Sequence, residues 1–300
     1  MKCFVIPAVR RIAVILLLMT PFAPYAQADP VNAIDARGTT LRLPHPAQRI
    51  VTLAPNLTEL VFAAGAGDQL AGVARFSDYP SAARRLPVVS DAVQVDLERL
   101  LVLRADLVLA WQGGTPPDVI ARLERAGLPV FVAGASSLDD IARNITAIAQ
   151  VAGTTAAAAP ARAAFDADLR ALRARRHEGA PVRVFYEIWG RPLMTVNKAH
   201  LISEIITLCG GVNVFAGLGA LTPEVSLESL LAARPDIVLG GSSADTPAAF
   251  AARWAALPPP FNGWTARHLP ADLIQRPTPR IVEGARRLCA HLDAVRGVGR

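Results

Sequence analysis

The chain is poor in the residues that announce chemistry. Of 300 residues, three are cysteine, five are histidine and 6% are aromatic. His45, His177, His200, His268 and His291 are dispersed, with no histidine-rich loop and no short ligand spacing, which argues against a free-metal site. No Walker-type phosphate loop, Gly-x-Ser-x-Gly elbow or metal-hydrolase signature occurs, so nothing marks an enzyme. Gly65-Ala66-Gly67 opens like a dinucleotide fingerprint, but Leu70 stands where the third glycine belongs, and the stretch ends a helix instead of opening one. No stripe of Lys and Arg with interleaved aromatics is present, which makes nucleic acid a poor partner.

A bilayer-length apolar run is missing as well. The longest candidate, residues 12–19, falls short of the roughly 20 residues a span needs. Its setting explains it: Lys2, Arg10 and Arg11 precede it, Pro21 and Pro24 follow, and Ala26-Gln27-Ala28 places small residues at the two positions a signal peptidase reads. The expectation is a signal peptide over residues 1–28 and a mature chain from Asp29. No cysteine follows the cleavage point, which argues against a lipoprotein. Losing Lys2, Arg10 and Arg11 leaves 28 basic against 25 acidic residues, so the formal charge falls from +6 to +3. Cys3 also leaves. Cys209 and Cys289 remain as an even pair in an oxidising compartment, which invites one disulfide, with two buried free thiols as the alternative.

About 270 mature residues exceed the usual size of a single core and suggest two domains. Short β-prone runs at residues 49–53, 107–110 and 130–132 alternate with helix-like segments such as 119–126, and Asn56 or Thr58 is a candidate cap for the helix through Glu59 to Phe62. Residues 156–176, AAAAPARAAFDADLRALRARR, are rich in strong helix formers and carry no strand signal. Strand-like runs resume at 182–188 and 237–239. This alternation predicts α/β architecture with parallel sheets. The expected division is an N-terminal lobe over 29–154, a linking helix over 155–180 and a C-terminal lobe over 181–300.

An internal echo relates the lobes. Val95-Asp96-Leu97-Glu98-Arg99-Leu100-Leu101, then Arg104-Ala105-Asp106-Leu107-Val108-Leu109, matches Val225-Ser226-Leu227-Glu228-Ser229-Leu230-Leu231, then Arg234-Pro235-Asp236-Ile237-Val238-Leu239. A short helix, a turn and a buried strand account for the pattern, and the leucines are assigned to packing. Packing does not require an acid at the same place twice. Glu98 and Glu228 therefore suit a pseudo-symmetric docking surface for a partner carrying paired arginines.

These stretches resemble the cobalamin-binding branch of the iron/cobalamin periplasmic solute-binding family. The resemblance rests also on Arg49-Ile50-Val51-Thr52-Leu53-Ala54-Pro55 with Thr58-Glu59-Leu60, Phe76-Ser77-Asp78-Tyr79-Pro80, and Trp111-Gln112-Gly113-Gly114. It continues through Cys209-Gly210-Gly211-Val212-Asn213-Val214-Phe215 and Pro279-Arg280-Ile281 with Leu288-Cys289. It implies a class III fold with two Rossmann-like lobes, central mostly parallel sheets and one long backbone helix. The implied protein is a periplasmic, monomeric, non-catalytic carrier without a cofactor, which hands its ligand to an inner-membrane ABC permease and its ATPase. Glu98 and Glu228 become the permease-docking acids, and Cys209 and Cys289 the disulfide.

The resemblance places the ligand between the lobes, touched by Phe76, Trp111, Asp272, Leu273, Ile274, Gln275 and Arg276. Phe76 and Trp111 offer flat faces to a macrocycle and Asp272 accepts hydrogen bonds; the bland alternatives are core for Phe76 and a turn cap for Asp272. Tyr79 is read as structural. Where cobalamin binders often carry two further tryptophans, Ala92 and Thr222 stand here, so the corrinoid reading shares the field with haem or a ferric siderophore. Tyr186-Glu187-Ile188-Trp189 with Met194-Thr195 is a candidate source of replacement contacts, Tyr186 being alternatively a buried strand residue.

Overall fold

The computed structural model describes residues 1, 30–91, 94–242 and 245–298. The expected cleavage site and Ala92 lie outside the described residues. A small hairpin of β1 (Val31–Ile34) and β2 (Thr40–Leu43) opens the chain. There follow β3 (Ile50–Thr52), α1 (Pro55–Ala63), β4 (Leu70–Ala74), β5 (Val88–Ser90), α2 (Leu97–Val102), β6 (Leu107–Trp111), α3 (Pro117–Arg125), β7 (Val130–Ala133) and α4 (Leu138–Ala152). The long helix α5 spans Thr155–Arg173. Beyond it lie β8 (Val182–Glu187), the hairpin β9 (Trp189–Gly190) and β10 (Leu193–Met194), α6 (Leu201–Leu208), β11 (Gly211–Asn213), α7 (Leu227–Ala233) and β12 (Ile237–Gly240). The chain ends with α8 (Pro247–Ala255), β13 (Ala266–His268), α9 (Ala271–Ile274) and α10 (Ile281–Val298).

Each lobe is built on a parallel sheet covered on both faces. The first has strand order β5-β4-β3-β6-β7 and the second β11-β8-β12-β13. Residues 107–110 of β6 are all buried, as expected for a strand with helices on both sides. In both sheets the chain builds to one side and then to the other. The switch points fall between β3 and β6 in one lobe and between β8 and β12 in the other. Ligand crevices form outside the carboxyl ends of strands at such points.

Two sequence expectations about helices are corrected. Helix α5 ends at Arg173, short of residue 180, with Ala174 as its C-cap and an irregular stretch leading through left-handed Gly179 and Pro181 into β8. Helix α1 is not capped by Asn56 or Thr58: Ala54 is its N-cap, Pro55 occupies the first turn, and the Thr58 hydroxyl is bonded instead to Thr52 and Ser77. By contrast, α4 starts with a capping box of Ser137 and Asp140 and stops at left-handed Gly153.

The main core does not stop at the lobe boundary. It runs from Leu57 and Leu60 of α1 through Ile141 and Ile148 of α4 and Phe165, Leu169 and Leu172 of α5. From there it continues to Ile202 and Ile206 of α6 and Leu288 and Leu292 of α10. Gly65, just past α1, lets α5 approach: a Cβ there would lie 2.7 Å from that of Ala157. Cys209 and Cys289 are joined, tying α6 to α10. Separate outer cores lie under α2 and α3 and under α7 and α8.

The sequence echo is structural down to the backbone. Arg104 and Arg234 both have positive φ, 52° and 45°. Asp106 accepts from the backbone N–H of Arg49 at 2.9 Å, and Asp236 from that of Arg183 at 2.7 Å. The guanidinium of Arg49 donates to the carbonyl of Leu103 after α2, and that of Arg183 to Ala233 and Arg234 at the end of α7. The repeated Asp therefore has structural work. Glu98 makes no hydrogen bond or ion pair among the described residues, while Glu228 is exposed, with its carboxyl held low by the Ser226 hydroxyl.

Candidate functional site between the lobes

Both switch points carry a concavity. In the N-terminal lobe a cavity of about 240 Å³ is lined by Pro55, Arg75, Phe76, Gln94, Thr115 and Pro116. In the C-terminal lobe one of about 280 Å³ is lined by Ile188, Trp189, Arg191, Ser242, Asp245 and Arg253. Neither alone reaches the 300–1,000 Å³ or so typical of a small-molecule site. They are linked through the segment after β13. Gln275 Nε2 donates to the Tyr186 hydroxyl at 3.2 Å and to the Ile188 carbonyl at 3.5 Å, and Arg276 Nη2 donates to the Phe76 carbonyl at 3.4 Å.

Phe76 is thrust outward. It is 73% exposed with φ of 66°, a conformation rare for a bulky residue and held only where surroundings impose it. The support lies just beneath: Ser77, Thr58 and Thr52 form a buried hydroxyl chain at 2.9 and 2.7 Å that pins the turn after β4 to α1 and β3. The core alternative for Phe76 is thereby removed. Trp111 is only half-buried, at the carboxyl end of β6. Its ring packs on Gly114, where a Cβ would come within 2.9 Å, and partly on the main core.

A third aromatic, Trp189, is 57% exposed on the β9–β10 hairpin, its indole N–H donating to the Arg191 carbonyl at 2.8 Å. It lies in the stretch proposed to replace the missing tryptophans. Tyr186 beside it is a fully buried strand residue, its phenol pushed up by burial. Thr195 is buried and donates to the Tyr186 carbonyl, and Thr222 is half-buried.

An ion cluster spans the lobes. Glu59 of α1 accepts from Arg276 Nη1 at 3.1 Å and from Arg280 Nε and Nη2 at 2.9 and 2.7 Å. Arg276 also meets Asp78 at 2.7 Å, and Arg280 meets Asp272 at 2.9 Å with its guanidinium 4.2 Å over the Tyr79 ring. Burial pushes the Asp78 carboxyl up, but the hydrogen bond and charge of Arg276 outweigh it and hold the group below its ordinary range. The hydrogen bond to Glu59 raises Arg280 against the opposing effect of burial. A second buried acid, Glu187, is 2% exposed and takes Arg253 at 2.6 and 3.1 Å and the Trp254 indole at 2.9 Å.

This cluster engages part of the expected ligand loop. Ile274 is 1% exposed and belongs to the core, with Leu273 held close to α10 because Gly284 lets its carbonyl in. Arg276 spends its guanidinium on Glu59 and Asp78, and Asp272 gives one oxygen to Arg280 while its side chain stays 34% exposed. Sequence reading missed Glu59, although a carboxylate between Leu57, Leu60 and Val61 of an apolar helix asks for a buried cation. Arg75 and Arg191, one at each cavity, are exposed and form no ion pair among the described residues. No cluster of three metal-ligating side chains occurs among the described residues, nor any helix long and apolar enough to cross a membrane.

The paired acids sit at the outer rims. Glu98 lines a surface hollow with Arg75, Asp91 and Gln94, residues that also border the N-terminal cavity. On the other lobe, the lead-in to α7 is bridged to the hairpin bearing Trp189, with Val225 N–H donating to the Leu193 carbonyl at 2.9 Å.

Comparison with known proteins agrees with this architecture. The family described as Periplasmic binding protein matches residues 50–278. The Vitamin B12-binding protein of Vibrio cholerae serotype O1 is 34% identical over 252 residues, covering 84% of this chain and 91% of that protein. The crystal structure of a periplasmic vitamin B12 binding protein of Vibrio cholerae superposes with a TM-score of 0.75 at 34% identity, over 84% of this chain and 98% of that one. A periplasmic heme-binding protein in complex with two hemes gives 0.72 at 28% identity, over 82% and 98%.

Proposed function

The chain belongs to the periplasmic binding protein family, and from that premise we propose that it captures cobalamin or a related corrinoid between its lobes and delivers it to the permease of an ATP-driven importer. The observation that carries the reading is the pair of switch-point cavities, each with a large exposed aromatic: Phe76 on one lobe and Trp189 on the other. A macrocycle several rings wide needs apolar faces on both sides, which neither cavity supplies alone. The amide of Gln94, at the N-terminal cavity, would meet peripheral amides or hydroxyls of the ligand, and Asp272 keeps one oxygen beyond its bond to Arg280 for the same purpose. Binding needs no covalent step. Glu98 and Glu228 present the loaded lobes to the membrane partner, and the leader over residues 1–28 takes the chain to the periplasm.

A second reading is favoured by Arg75 and Arg191. Two exposed arginines without ion-pair partners among the described residues, one at each cavity, suit a ligand edged with carboxylates, as haem is. Isothermal titration of the mature protein with cyanocobalamin, cobinamide and haemin separates the two. Binding of the corrinoids alone is expected; haemin alone would move the ligand to haem, and none of the three would remove both readings.

A further inference from the structure

The duplicated unit carries more than its acids. Leu100 and Leu230 are fully buried, as packing requires. Their neighbours are not: Leu101 is 53% exposed and Leu231 42%. The assignment of both leucines of each pair to packing therefore holds for the first and fails for the second. Residues three apart share a helical face, so Leu101 stands beside Glu98, and Leu231 beside Glu228. Single exposed leucines are ordinary. Here, however, four leucines stand out as exposed among the described residues, Leu101, Leu218, Leu221 and Leu231, and two of them occupy the same place in a repeated unit. Val102, 80% exposed, widens the patch on the first lobe.

We propose that Leu101 and Leu231, with Glu98 and Glu228, form a twice-repeated Glu-x-x-Leu contact for a two-fold symmetric membrane partner, each half of which offers a cation beside an apolar pocket. The inference rests on the docking role given above to the two acids. An exposed carboxylate alone gives a weak, salt-screened contact. An adjoining leucine that buries itself in the partner excludes water from around the ion pair, which strengthens the pair and slows dissociation. The core shared by the lobes holds the two units at one separation, so both seat together.

The test uses cells of the source organism whose uptake of labelled cyanocobalamin depends on this chain, with variants in place of the native copy. Leu101→Ser with Leu231→Ser is expected to lower uptake at limiting ligand about tenfold, the effect of truncating a central contact residue. The purified variant should melt within about 2 °C of the native protein, as surface substitutions do. Leu101→Met with Leu231→Met should restore uptake. Native uptake by the serine variant, alongside loss in Glu98→Lys with Glu228→Lys, overturns the leucine contact and leaves the docking acids standing. Native uptake in both overturns the docking role and the leucine contact together. A serine variant that melts more than about 5 °C lower places the leucines in the fold and also overturns the proposal.

Discussion

Replacing Glu59 with glutamine removes the one charge that both inter-lobe arginines share. The side chain is 2% exposed and accepts three hydrogen bonds, from Arg276 Nη1 and from Nε and Nη2 of Arg280. The amide keeps the shape and one acceptor but turns an NH₂ donor toward a guanidinium. Removing one partner of a buried ion pair costs about 3–5 kcal/mol, because the charge left behind is stranded. Here Arg276 keeps Asp78, Arg280 keeps Asp272, and the two arginines are 18% and 19% exposed, so the lower end, about 3 kcal/mol, applies. At roughly 2–4 °C per kcal/mol for a chain of this size, scanning calorimetry should find the melting temperature about 8 °C lower. A cycle with Arg280→Met isolates the pair: the double variant should be less destabilised than the two single effects summed. A drop under about 2 °C, or effects that simply add, would refute the claim that this cluster ties the lobes.

Reducing the bond between Cys209 and Cys289 opens a closure of 80 residues and should cost on the order of 4 kcal/mol, read as a lower urea midpoint with reductant; an unchanged midpoint would deny the bond a stabilising role. Burial pushes His200 down to about 4, so the unfolded chain takes up a proton below its ordinary 6.5 while the folded one does not. Its contribution is complete above pH 6.5 and is lost as pH falls toward 4, by about 3 kcal/mol. His200→Asn keeps an acceptor for the Ile202 N–H at the start of α6 and should flatten this slope in denaturant titrations; an equal slope would acquit His200. Phe76→Ala and Trp189→Ala should each weaken cyanocobalamin binding about tenfold in calorimetric titration without changing the melting temperature. Native affinity in both variants would take the aromatic pair out of the site.

Much of the fold is legible because it is written in short range. The runs at 107–110 and 130–132 became β6 and β7, the echo became two helix–turn–strand units of the same order, and the resemblance paired Cys209 with Cys289. What stayed hidden depends on distance or on direction. Glu59 meets Arg276 and Arg280 across separations of 217 and 221 residues, so no local pattern joins them. Composition cannot tell that Leu101 faces water while Leu100 does not, because both suit the same helix. Ile274 looks like its neighbours in sequence, yet the close approach of α9 to α10 buries it while leaving Asp272 partly exposed. Trp189 announced an aromatic in the right stretch, but only the hairpin β9–β10 turns it outward, while β8, paired with β12, buries Tyr186.

The core that passes uninterrupted from α1 to α10 also decides how this protein can be made to report its ligand. A core shared by both lobes is expected to keep two dyes on opposite lobe tips at nearly the same separation empty and loaded, which energy transfer between them would check. A single polarity-sensitive dye on the rim of either cavity, at Gln94 or Arg191, would report a ligand that enters there by the change in its surroundings.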